Sequence, residues 1–121
     1  MEKPHKRLDV WKLAVELAVS VYRVTEKFPG EERFGLTSQI RRAAVSIPSN
    51  IVEGAARKGK KEFAQFLHTS RGSLSELDTQ LELARQLGFL DEADFKDLNG
   101  QMERVDMTLA GLLRFQRSSH V

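Results

Sequence analysis

Apolar residues recur along this chain at spacings of three and four, the period of about 3.6 that marks helices with one buried face. Val10, Leu13, Ala14, Leu17, Val21, Val24 and Phe28 share one face of a first helix predicted over residues 9–27, which Phe28-Pro29-Gly30 ends. Leu36, Ile40, Ala43, Ala44, Ile47, Ile51 and Ala55 mark a second, with Thr37 or Ser38 as its N-cap and a glycine and lysine cluster near residue 59 as its end. Phe63, Phe66, Leu67, Ser70, Leu74, Leu77, Leu81 and Ala84 align on a third over 60–87, with Gly88 as its stop. Phe95, Leu98, Met102, Val105, Leu109, Leu112, Leu113 and Gln116 line the inner side of a fourth over 91–117. Short loops between long helices predict an all-α, antiparallel up-down-up-down four-helix bundle. The expected domain is the whole of 1–121, with 1–8 a basic tail, and a chain of this length buries roughly two-thirds of its unfolded surface.

Pro48 falls inside the second pattern. It lacks a backbone donor and strips the Ala44 carbonyl of its partner, at a cost of about 3 kcal/mol. The expectation is therefore a kink, or a break into two shorter helices, near Ala44 to Pro48. Such a bend either wraps the helix around its neighbours or, with Ser46, Ser49 and Asn50, forms a polar notch for a ligand or partner.

The first helix carries a second apolar stripe. Trp11, Val15, Val19 and Tyr22 cluster on the side opposite Leu17, and Leu83 and Leu87 point away from the core line of the third helix. A helix apolar on two faces is buried on two faces, so these six residues are the expected interface of a homo-oligomer. Gly72, among Ser70, Ser73 and Ser75, makes a small-sided helix surface suited to the close approach of a helix or subunit, or to contact with a phosphate backbone or partner protein.

Charge is uneven rather than large. The net charge is +2, but residues 1–61 hold 13 Lys and Arg against 7 Asp and Glu, whereas residues 62–121 hold 6 against 10. Cysteine is absent, which excludes thiol catalysis, cysteine-ligated zinc and disulfides and fits a reducing, cytoplasmic setting. No segment reads as a signal peptide or membrane span. Residues able to carry chemistry do not assemble: Glu2 and His5 lie in the tail around Pro4, His68 falls on the polar face, and His120 is next to the end. Asp91, Glu92 and Asp94 suit the start of the fourth helix, and Asp106 sits where it can pair with a basic residue or face water. Triads, phosphate-cradling glycine loops and zinc spacings are missing, so the sequence points to no enzyme, cofactor or metal.

The run Arg57, Lys58, Lys60 and Lys61, at the junction of the second and third helices, is the candidate binding site, with Arg41 and Arg42 adding charge. Open backbone donors at a helix start suit an anion, and repetition around a symmetry axis enlarges the field, so a phosphate backbone is the natural partner. Aromatic residues do not interleave with this run, which disfavours base-specific reading.

The segments LDVWKLAVELAVSVYRVTEKFP, FGLTSQIRRAAVSIPSNIVEG and EFAQFLHTSRGSLSELDTQLELARQLGFL, with the closing helix, resemble the four-helix-bundle family of bacterial 23S rRNA-intervening-sequence proteins. The resemblance covers nearly the whole chain and implies a cytoplasmic homopentamer. It also implies a fold similar to the accessory variability protein of diversity-generating retroelements, a basic pentamer that binds nucleic acid and a reverse transcriptase. Two functions follow as expectations. One is an oligomer that binds RNA or DNA through Arg41, Arg42, Arg57, Lys58, Lys60 and Lys61; the other is a scaffold for a protein partner with no direct nucleic-acid binding.

Overall fold

In the computed structural model, which describes residues 5 and 8–118, four helices follow one another: α1 (Asp9–Thr25), α2 (Leu36–Ala55), α3 (Lys60–Gln86) and α4 (Glu92–Ser118). A 3-10 turn, Gly30–Glu32, interrupts the α1–α2 loop. Each helix packs on its two neighbours in a ring, α1 on α2, α2 on α3, α3 on α4 and α4 on α1. Side-chain bonds fix the register of three of these pairs. Ser46 and Ser73 hydroxyls meet at 2.7 Å between α2 and α3. Arg71 reaches Asp106 at 2.9 Å between α3 and α4, and Gln101 donates to Ser20 Oγ at 3.1 Å between α4 and α1. The antiparallel up-down-up-down bundle is the arrangement that the hydrophobic period predicts.

The inward faces are the apolar stripes. Leu17, Ile40, Ile47, Ile51, Leu67, Leu77, Leu81, Leu98 and Leu109 are fully buried, and Leu13, Val24, Phe63 and Phe95 pack at the edge of this core. Phe28 and Phe89 close one end, ring centroids 5.9 Å apart. Gly88 adopts φ +81°, the left-handed conformation that lets α3 stop and the chain turn toward α4. Asp91 caps α4, its Oδ1 accepting the Asp94 amide at 2.8 Å.

One local expectation is corrected and another is narrowed. Neither Thr37 nor Ser38 caps α2, whose N-cap position is Gly35. The Glu32 carboxylate, delivered by the 3-10 turn, accepts the Leu36 amide at 3.1 Å instead, while Thr37 is buried. Of the two outcomes expected at Pro48, a kink or a break into two helices, the break does not occur, for α2 runs without interruption from Leu36 to Ala55. Asn50 Nδ2 donates to the Ser46 carbonyl at 2.8 Å and Ser70 Oγ to the Ile47 carbonyl at 2.9 Å, so the turn around Pro48 is bonded from within and from α3. Ser46, Asn50 and Ser73 therefore bond to one another, while Ser49 faces outward.

Candidate nucleic-acid interface

The α2–α3 turn is built on Gly54. A Cβ there would stand 2.8 Å from both Phe63 Cδ1 and Phe66 Cβ and 3.3 Å from the Phe63 carbonyl oxygen, so only glycine lets α2 end this close to the start of α3. The tight corner gathers Arg57, Lys58, Lys60 and Lys61, all exposed. Arg57 lies over the Phe66 ring, 5.0 Å from its centroid, and reaches Glu53 at 3.4 Å. Lys58, Lys60 and Lys61 have no ion-pair or hydrogen-bond partner among the described residues. Gly59 is the N-cap of α3 and offers no side-chain cap, so the first amides of a 27-residue helix stay open beside three unpaired ammonium groups.

Arg41 and Arg42 are not part of this corner. Arg42 precedes Arg57 by fifteen residues, a rise of about 22 Å along the helix. It borders a shallow polar groove of about 490 Å³ with Gln39, Ser46, Ser73 and Glu76. Arg41 is turned onto the end of α1. Its Nε donates to Thr25 Oγ1 at 2.8 Å, its Nη2 to the Tyr22 carbonyl at 3.2 Å, and its guanidinium covers the Tyr22 ring at 4.5 Å. The six cations thus separate into an exposed corner of four, one exposed arginine and one structural arginine.

The apolar stripe of α1 remains largely open. Val19, Tyr22 and Val45 are each more than 40% exposed, and with Val15, Ala18 and Pro48 they wall an apolar groove of about 330 Å³ between α1 and α2. Val45 belongs to this face, and its absence from the core period of α2 is the signal that could have found it. Trp11 is half-buried against the core and meets the His5 ring edge-on at 4.9 Å, so the fold itself already uses part of it. Leu83 on α3 and Leu87 just past its end are exposed, and α3 stands diagonal to α1 in the ring, so the six predicted contact residues form two faces rather than one.

Between α3 and α4 runs a groove of about 660 Å³ lined by His68, Gly72, Met102 and Met107 and crossed by the Arg71–Asp106 pair. Asp106 thus satisfies both expectations at once, paired and partly exposed. Among the described residues nothing comes within 4 Å of a Cβ placed on Gly72, so no helix of the same chain approaches it closely. His68 is exposed, and no three His, Asp or Glu residues stand close enough to hold a metal ion among the described residues. Glu2 and His120 lie outside the described residues.

The opposite end of the bundle is held by ion pairs. Lys27 Nζ reaches Asp94 Oδ2 at 2.8 Å, and that hydrogen bond raises the lysine above its ordinary value. Arg85 links Glu82 at 2.6 Å to Glu92 at 3.0 Å, holding the Glu82 carboxyl below the ordinary carboxylate range. No helix among the described residues is long and apolar enough to cross a membrane.

Comparison with known proteins agrees with this architecture. The profile of a family described as 23S rRNA-intervening sequence protein matches residues 6–111. No curated protein matches the chain. A solved structure of a protein of unknown function from the S23 ribosomal protein family of Bacteroides thetaiotaomicron is similar, with a TM-score of 0.80, 21% identity, and coverage of 86% of this chain and 97% of that one. At that identity the likeness is one of fold.

Proposed function

The chain belongs to the 23S rRNA-intervening sequence protein family, and we propose that it is a non-catalytic, self-associating cytoplasmic protein that binds the phosphate backbone of RNA or DNA. The contact is Arg57, Lys58, Lys60 and Lys61, with Arg42 as an outlying cation. The observation that supports this reading is the set of three exposed, unpaired lysines at the uncapped start of α3. Unpaired surface cations lose nothing internal when a phosphate replaces water, and release of the counterions held on the nucleic acid drives binding. The small net charge of +2 makes the interaction local to the corner and sensitive to salt.

Molar mass by light scattering, with and without a mixed RNA fragment, tests the reading. Four phosphate contacts on a single strand predict an affinity loss of about 50-fold between roughly 50 and 200 mM salt. The variant R57Q/K58Q/K60Q/K61Q keeps the same protein mass and loses the RNA. A protein indifferent to RNA at the lower salt overturns the reading. It would favour the second function, a scaffold for a protein partner, which the open apolar faces of α1–α2 and α3 support.

A further inference from the structure

The charge imbalance along the sequence becomes an end-to-end imbalance in the fold. Continuing the Ser46–Ser73 register brings Lys58 level with Lys61, and continuing the Arg71–Asp106 register brings Arg114 level with Phe63 on α3. The Ser20–Gln101 register sets Asp9 level with Leu112, so the start of α1, the α2–α3 turn and the end of α4 share one end of the bundle. The described segments that make this end, 8–13, 53–65 and 110–116, hold six Lys and Arg against three Asp and Glu. The segments of the other end, 22–36 and 82–97, hold five against eight, and there Lys27 and Arg85 are already paired. The acidic end and the basic end act together to turn the basic end toward a polyanion.

The same end supplies what the α2–α3 turn lacks. Phe115 is 62% exposed and follows Arg114, itself exposed, in the last turns of α4. An exposed aromatic ring in a field of unpaired cations is the combination that holds single strands, because a duplex hides the base faces that would stack on it.

We propose that the whole basic end is the binding surface and that its ligand is single-stranded RNA, with phosphates on Lys58, Lys60, Lys61 and Arg114 and a base stacked on Phe115. This rests on the nucleic-acid reading above and extends it to α4 and to a strand class. The two contributions separate by their salt dependence. Each cation removed flattens the slope of log affinity against log salt by about 0.7, whereas loss of a stacked base lowers affinity at every salt concentration alike.

The test is fluorescence anisotropy of labelled oligouridylate and of a labelled RNA duplex over roughly 50 to 200 mM salt. Oligouridylate should bind more tightly than the duplex. R114Q should flatten the slope by about 0.7, F115L should weaken binding about tenfold at unchanged slope, and F115Y should restore it. K96Q, at the opposite end, should change neither, and circular dichroism should show the same helix content in every variant. If R114Q and F115L bind like the wild type while K58Q/K60Q/K61Q does not, the corner binds alone and the extension is wrong. Preference for the duplex overturns it too. If the wild type binds neither oligouridylate nor the duplex, the extension and the reading beneath it fall together.

Discussion

Arg41 reaches from α2 to the last turn of α1, its Nε donating to Thr25 Oγ1 at 2.8 Å. Thr25 in turn donates to the Val21 carbonyl at 2.8 Å, so one guanidinium and one hydroxyl finish the C-terminal end of a helix, where positive charge is favoured. Arg41→Gln should lower the unfolding free energy by about 1 kcal/mol, the scale of a partly exposed bond to a charged group. RNA affinity and its salt slope should not move. A flattened slope at unchanged stability would place Arg41 among the phosphate ligands instead.

Gly54 and Gly72 are both helical glycines with opposite surroundings. Gly54→Ala forces a methyl to 2.8 Å from Phe63 and Phe66 and should cost about 1–3 kcal/mol in urea unfolding. Gly72→Ala meets open space and should gain about 0.5–1 kcal/mol by raising helix propensity. Equal effects at the two sites would mean that the α2–α3 approach is looser than described.

The ion pairs at the acidic end set the direction of two pH limits. Lys27 is raised above its ordinary 10.5, so its contribution is complete below that pH and disappears as the pH climbs through the folded value. Glu82 is lowered below its ordinary 4.5, so its contribution is complete above that pH and is lost as acid protonates the folded carboxylate. Thermal midpoints followed from pH 4.5 downward should fall less steeply in Glu82→Gln than in the wild type, and those above pH 10.5 less steeply in Lys27→Met.

The α1–α2 groove carries the prediction for self-association. Charges placed at Val19 and Val45, as V19D/V45D, sit on side chains already more than 40% exposed and leave the core intact. Light scattering should show a lower molar mass with helix content unchanged. A variant that keeps its mass would exclude this face and direct attention to Leu83 and Leu87.

Much of this was legible along the chain because helix period depends on local geometry. The buried positions Leu17, Ile40, Leu74 and Leu109 all fall on predicted stripes, and Gly88 ends α3 for the conformational reason its residue type suggests. What stayed hidden depends on partners distant in sequence. At Pro48 the local pattern leaves a kink or a break open, and the bond from Ser70, 22 residues later, to the adjoining Ile47 carbonyl is a tertiary contact that no local pattern shows. Arg41 and Arg42 are adjacent in sequence, yet Arg41 is claimed by Thr25, sixteen residues earlier, while Arg42 stays exposed. Likewise, the tight approach at Gly54 is to phenylalanines on another helix, so the residues around Gly54 do not reveal it.

The bond between Ser20 and Gln101 spans 81 residues of chain, whereas that between Ser46 and Ser73 spans 27. The α2–α3 hairpin, the most closely packed pair, can therefore organise on its own, and the α1–α4 seam must close a much longer loop. That seam is where the bundle should breathe. Amides of α1 are expected to exchange with solvent ahead of those of α2, so that the molecule opens like a book whose spine is the α2–α3 hairpin.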